Sequence, residues 1–102
     1  MWKLFLDDER FPVEETGWQI ARSSNQAIEM VKNNGMPRFI SFDHDLGDDD
    51  TAMNFIHWII DELHNRQVSI PNDFEFDVHS QNPIGAENIR FLMNNVVSHF
   101  KV

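Results

Sequence analysis

Asp7-Asp8-Glu9-Arg10, Asp43-His44-Asp45 and His79-Ser80-Gln81-Asn82 are the places where this sequence gathers side chains able to do chemistry. Each follows at once on an apolar run: Leu4-Phe5-Leu6, Phe39-Ile40-Ser41-Phe42, and the segment from Phe74 to Val78. Carboxylates brought close together repel one another, and a hard divalent cation relieves that repulsion. Asp7, Asp8 and Asp43 are therefore candidate ligands for magnesium or manganese, with Asp45 as a further ligand or a turn-capping acid. The local alternative gives Asp7 or Asp8 a turn to cap, and folds Asp43 and Asp45 into an Asx-turn before Gly47.

His44 and His79 stand at strand ends, where an imidazole titrating near neutrality can exchange a proton with a phosphate or ribose oxygen. Together with Asp43 they form the candidate catalytic set; the structural alternative is that His44 ties its turn to the sheet and His79 caps its strand. Ser80 can donate to a bound oxyanion, and the Asn82-Pro83-Ile84-Gly85 helix start offers backbone N–H groups to phosphate. Gly85 permits close approach of a ligand, and Arg22 can pair with a phosphate through its forked donors. Arg22, Ser80, Asn82 and Gly85 are thus the candidate substrate-binding residues, while Arg10 and Arg22 can equally balance the acidic rim. Ser80 lacks the strained elbow expected of a hydrolase nucleophile. His57, His64 and His99 fall on helical stretches and are assigned to solvated or interfacial positions.

The elements that must position these groups are legible from periodicity. Residues 2 to 6 read as a first strand with Leu4 and Leu6 on one face and Phe5 on the other, both buried, as in a parallel strand between helical layers. Phe11 to Gly17 holds Pro12 and is too short for an ordinary crossover helix, which predicts a turn or loop. Trp18 to Arg22 is a short second strand. A helix follows, capped by Ser23 or Ser24 with Gln26 at capping-box spacing, and closes at Asn33-Asn34-Gly35 before Pro37.

After the strand ending at Phe42, Asp49 or Asp50 is placed to cap a helix over roughly 51 to 64, whose stripe is Ala52, Phe55, Ile56, Ile59, Ile60 and Leu63. Residues 74 to 78 alternate strictly, with Phe74, Phe76 and Val78 inward, the pattern of an edge or half-covered strand. Asn82 caps the last helix, Pro83 takes its first position, and Ile89, Leu92, Met93, Val96 and Phe100 form its stripe. With right-handed crossovers the order of elements predicts an α/β fold, a trimmed, doubly wound parallel sheet of strand order 2-1-3-4 in three layers. Neighbouring strand ends then converge on one crevice, so the three clusters describe one site.

A chain of 102 residues predicts one domain, 1–102, and zero cysteines exclude disulfides, thiolate nucleophiles and thiolate metal sites. The short apolar run before Asp7 is no signal peptide and no stretch reaches membrane-span length, so a cytoplasmic protein is expected. A net charge of −9 argues against nonspecific nucleic-acid binding and against docking on an acidic membrane. A small phosphorylated molecule remains compatible, because a cation in a carboxylate cluster inverts the local field.

The blocks Leu4-Phe5-Leu6-Asp7-Asp8-Glu9-Arg10 with Pro12, Trp18 and Arg22, then Ser41-Phe42-Asp43-His44-Asp45-Leu46-Gly47 with Asn54 and Trp58, then His79-Ser80-Gln81-Asn82-Pro83-Ile84-Gly85 with Asn88, resemble one family. It is the cyclic-phosphate processing receiver domain, a group of small phage and bacterial receiver-like proteins. The resemblance covers nearly the whole chain. It implies a receiver-like (flavodoxin-like) fold, an acidic pocket, and sensing or metal-dependent phosphoesterase action on a cyclic phosphate of a nucleotide, sugar or ADP-ribose-like molecule; if phage-encoded, the protein would work in the host cytoplasm.

The chain is also similar to phosphoacceptor receiver domains. Asp7 and Asp8 match their metal-binding acids, Asp43 their phosphoacceptor and Ser80 their hydroxyl residue. It departs from them where a fifth strand and its lysine should follow, since Lys101 comes after a helix, and phosphorylation of Asp43 is accordingly the lesser alternative. A further alternative is a noncatalytic adaptor or host-protein antagonist that docks through its acids or an edge strand.

Overall fold

A computed structural model describes residues 2–13 and 17–101. Its elements are β1 (Lys3–Leu6), β2 (Trp18–Ala21), α1 (Ser24–Asn34), β3 (Phe39–Phe42), α2 (Ala52–His64), β4 (Glu75–Val78) and α3 (Pro83–Phe100). The four strands are parallel and lie in the order β2-β1-β3-β4, as the sequence pattern predicts. Of the connection expected as a loop between Phe11 and Gly17, residues 14–16 lie outside the described residues. No helix among the described residues is long and apolar enough to cross a membrane.

The register explains the layering. Leu4, Leu6, Ala21, Ile40 and Phe42 share one face of the sheet and are fully buried in a core completed by Ala27 and Val31 of α1, Phe55, Ile56 and Ile59 of α2, and Ile89, Met93 and Val96 of α3. The opposite face carries Lys3 and Phe5, Trp18 and Ile20, Phe39 and Ser41, Glu75 and Asp77. There Glu75 and Asp77 are exposed and Trp18, Ile20 and Phe39 are half-buried. The helices among the described residues cover one face, giving two layers where the sequence pattern predicts three. Right-handed crossovers send the β1–β2 connection over the face opposite to that of the other two connections. On that face Phe11, Pro12 and Val13 line a cleft over Phe5 and Trp18.

Caps follow the sequence with one exception. The Ser23 side chain accepts from the Gln26 N–H at 3.1 Å, and the Gln26 side-chain oxygen accepts from the Arg22 N–H at 2.7 Å, one residue earlier than a standard capping box. Asn82 caps α3 by accepting from the Gly85 N–H at 3.0 Å, with Pro83 in the first turn. The exception is α2, which is capped by Thr51, accepting from Met53, and not by Asp49 or Asp50.

Gly47, Asp48 and Asp49 all take positive φ, and the turn they make brings the Asp50 carboxylate onto the start of α1. There it accepts from the Ser24 N–H at 2.8 Å and the Ser24 hydroxyl at 2.6 Å, and also from Asn54 at 2.9 Å. Asp50 thereby fastens the β3–α2 loop to α1.

Burial pushes the Asp50 carboxyl up, but the hydrogen bonds from Ser24, Asn54 and Thr51 outweigh it and hold the group below its ordinary value. A folded-state pKa below the unfolded one contributes stability above the ordinary carboxylate range, lost as pH falls through the folded-state value. Asp50→Ala is expected to cost about 1–2 kcal/mol at neutral pH. Denaturant titrations at a series of acid pH values check this: the difference from wild type should narrow toward the acid end, and a difference constant with pH would exclude the ionised cap.

Candidate functional site

One backbone bond beyond each ladder fixes the strand ends. The Asp7 N–H donates to the Ala21 carbonyl at 3.1 Å, the Asp43 N–H to Leu6 at 2.9 Å, and the His79 N–H to Phe42 at 2.9 Å. Asp7, Asp43 and His79 are therefore set side by side by sheet geometry. Asp7 is fully buried and Asp43 nearly so, while Asp8 is exposed. Ligand oxygens of Asp7, Asp8 and Asp43 all lie within 4.8 Å of one another. Asp45 is not in this group; its carboxylate contacts His44 Nδ1 at 3.0 Å and accepts from the Asn82 side-chain amide at 3.3 Å.

The buried Asp7 carboxylate is satisfied on every side. Its Oδ1 accepts from the Glu9 N–H at 2.9 Å and the Arg10 N–H at 2.8 Å, so the turn-capping role and membership of the acidic cluster hold together. Its Oδ2 lies 2.9 Å from His79 Nε2 and 3.4 Å from Arg10 Nε. Burial raises the Asp7 carboxyl, but the Arg10 and Glu9 N–H groups and His79 overcome it, and the net shift is downward. Asp43 goes the other way: burial first, then repulsion from Asp7, raise its carboxyl against the pull of His79, Arg10 and the His44 N–H.

His79 is the centre of a relay that strand register builds. Phe5, Ser41 and Asp77 are cross-strand neighbours on one row. The Ser41 hydroxyl donates to Asp77 Oδ1 at 2.6 Å, so its oxygen is free to accept from His79 Nδ1 at 2.8 Å. Both ring nitrogens of His79 are thus partnered, Nδ1 by the Ser41 hydroxyl and Nε2 by the Asp7 carboxylate. Phe5 stacks on the ring at 4.7 Å with 5° between planes.

A second constellation ties the β3–α2 turn to α3. His44 packs its ring against Gly85, where an added Cβ would lie 2.4 Å from the ring's Cγ. The space at Gly85 is thus taken by His44 rather than by a ligand. Asn82 spends its side chain on Gly85 and Asp45, and the Ala86 N–H donates to the Asn82 carbonyl, so the helix start expected to face phosphate is largely capped. The Arg22 Nη1–H donates to the backbone carbonyls of Asp7 at 3.0 Å and Arg10 at 2.6 Å, and the guanidinium stacks on Phe11 at 4.7 Å. Arg22 is the clasp of the β1–β2 loop.

What remains open is a crevice of about 490 Å³ whose lining includes Asp8, Arg10, Asp43, Asp45, Ser80 and Asn82. Asp7 lies beneath it, and neither His44 nor His79 lines it. Arg10 is its guanidinium, and Ser80, which accepts from the Asn82 N–H at 3.1 Å, is its hydroxyl. Reasoning from sequence missed Ser41 and Asp77; the signal for them is a serine inside the apolar run Phe39-Ile40-Ser41-Phe42, level with the acid of an alternating neighbour strand.

A profile of the cyclic-phosphate processing receiver domain matches residues 2–95. The chain belongs to this family. A solved structure titled as a yeast Spc42 trimeric coiled coil fused to another structure is similar in fold, with a TM-score of 0.59 and 21% identity over 88% of this chain. The match spans 62% of that longer chain. No curated protein matches by sequence.

In this receiver domain the lysines all lie away from Asp43. Lys3 begins β1 and sits over Trp18, Lys32 ends α1 beside Glu29, and Lys101 donates to the Phe74 carbonyl at the start of β4. The phosphoacceptor reading therefore lacks its amine.

Two outcomes test the site. Gly85→Ala should destabilise by about 1–3 kcal/mol, because crowding of the His44 ring outweighs the gain in helix propensity; in a double-mutant cycle His44→Ala should recover most of that loss, and additive costs would exclude the contact. Asp43 carries a raised carboxyl, so its ionisation costs stability as pH rises from the unfolded-state to the folded-state value. Asp43→Asn should accordingly melt higher than wild type in neutral, chelator-containing buffer, and a lower melting temperature would contradict the shift.

Proposed function

We propose that the crevice is a cation-dependent receptor for the phosphate of a cyclic phosphate ester. The observation that carries this reading is the meeting, in one cavity, of Asp8 and Asp43 with the Arg10 guanidinium and the Ser80 hydroxyl, the Asp7 carboxylate lying beneath them within the same cluster. The donor set fits a hard dication: all three candidate ligands are carboxylate oxygens, and Asp43 is burdened by burial and by Asp7 in a way that positive charge relieves. Asp7, Asp8 and Asp43 would hold magnesium or manganese, which when bound would neutralise the phosphate and polarise its P–O bonds.

The chain's own groups then divide the work. Arg10 faces the crevice with its Nε near Asp7, leaving its terminal nitrogens to meet nonbridging oxygens in a charge-assisted pair. Ser80 donates its hydroxyl to another oxygen of the phosphate. His79 holds Asp7 in place and His44 holds the Asp45 turn against α3, so both histidines are positioning residues.

Ring opening is the second reading. It is favoured by the position of Asp43 on the crevice with a carboxyl pushed up by burial and by Asp7, the direction that suits a proton-transfer group. Calorimetry with magnesium or manganese, then with 2',3'-cyclic nucleotides and sugar cyclic phosphates, followed in parallel by phosphorus NMR, separates the two. Binding is expected that needs the cation and disappears in Asp43→Asn, with the ring phosphate resonance unchanged. Ring opening by wild type and not by Asp43→Asn selects the esterase; absence of cation-dependent binding across both ligand classes sinks both readings.

A further inference from the structure

A cleft of about 360 Å³ lies on the face of the sheet that carries no helix, and it meets the acidic crevice at Arg10, which lines both. Its walls are aromatic. Phe5 is 7% exposed and stacked on His79; Trp18 stands edge-on between Phe5 at 5.8 Å and Phe39 at 5.6 Å; Phe11 is 68% exposed. These rings are held before any ligand arrives. Lys3 sits 4.6 Å from the Trp18 ring, and Arg22, itself pinned by two backbone carbonyls, lies 4.7 Å from the Phe11 ring. Phe11 lines the cleft with Arg22 against its ring, and aromatic walls held by their neighbours bind flat rings at a reduced ordering cost.

The polar groups that line the cleft are Lys3, Arg10, Ser41, Asp77 and His79. Asp77 places an exposed carboxylate there, one oxygen taken by Ser41, leaving an acceptor suited to an amino or ring N–H. An aromatic-walled slot with one carboxylate acceptor, joined through an arginine to a phosphate-sized acidic crevice, is complementary to a nucleobase attached to its phosphorylated sugar. A ligand that is sugar and phosphate alone leaves the aromatic walls unused.

We propose that this cleft is the base subsite of the same ligand: the substrate class is a cyclic nucleotide, its base on the open sheet face and its cyclic phosphate in the crevice. The inference rests on the phosphate reading above, which leaves nucleotide and sugar esters equal. The base contributes by stacking on Phe11 and Trp18 and by donating to Asp77, while Arg10 stands at the junction where base-bearing sugar and phosphate meet.

The test compares adenosine 2',3'-cyclic phosphate with the methyl riboside 2',3'-cyclic phosphate, which lacks the base, on the full chain with magnesium or manganese. The nucleotide should bind at least about tenfold more tightly. Phe11→Ala, at an exposed position that the fold tolerates, should bring the nucleotide down to the affinity of the baseless ester; Trp18→Leu should do the same if it folds. Equal affinities for the two esters, or an equal loss of both in Phe11→Ala, overturns the proposal.

Free adenosine at millimolar concentration, read from the NMR signals of Phe5, Phe11 and Trp18, tests the cleft apart from the phosphate. Shifts confined to these rings, with neither ester bound, keep the base subsite and discard the phosphate reading; no shifts and no preference for the nucleotide discard the subsite. Light scattering adds the other occupant: a dimer that Phe11→Ala converts to monomer would show the cleft covered by a second copy and overturn the proposal.

Discussion

The arrangement depends on keeping one carboxylate, that of Asp7, charged and out of water. A buried ion without partners costs several kcal/mol, so the chain around it is organised to supply them. Two backbone N–H groups of the following turn, the imidazole of His79 and the Arg10 guanidinium all converge on it. The turn can curl over Asp7 only if its outward carbonyls are satisfied too, and Arg22 does this from the end of β2. His79 can engage both nitrogens only because Ser41 accepts one of them, which in turn requires Asp77 to accept the Ser41 proton. The chain of obligations runs through all four strands and gives Ser41 and Asp77 on the open face a reason to be there.

The uncovered sheet face is the second constraint. With no helix over that face among the described residues, its hydrophobic side chains must be sheltered by one another. Phe5, Trp18 and Phe39 do so edge to face, and His79 completes the stack. The aromatic cluster is thus at once the substitute for a helical layer and the wall of the cleft. A helix in that position would have closed the cleft and separated Arg10 from it.

Much of this was legible in the residues. Strand order, parallel pairing and the convergence of Asp7, Asp8 and Asp43 follow from apolar runs that end in acids, because a parallel sheet brings its carboxyl ends together whatever the loops do. The Asn82 cap and Pro83 gave away the start of α3. What escaped was everything that depends on where a side chain turns after the strand ends. Asp50 could not be told from Asp49 as a cap, since both precede α2, and only three successive positive φ angles swing Asp50 onto Ser24. Gly85 read as a ligand's opening because spacing cannot show that His44 arrives there from another element. Arg22 read as a phosphate partner because a guanidinium satisfies carbonyls and phosphates with the same donors.

The opposite fates of Asp7 and Asp43 explain how one acidic cluster serves both fold and ligand. Two adjacent carboxylates cannot both be stabilised by the same limited set of donors. The structure gives the donors to Asp7, whose carboxyl is driven down, and leaves Asp43 with burial and with its neighbour's charge, which drive it up. Asp7 is thereby a fixed negative charge beneath the floor, and Asp43 is the acid of the crevice whose carboxyl burial and Asp7 push up, a burden that positive charge relieves. Had His79 been turned toward the crevice, Asp7 would be buried without its partner. Its placement against Ser41 preserves the asymmetry, and that asymmetry makes the strand-end acids responsive rather than merely acidic.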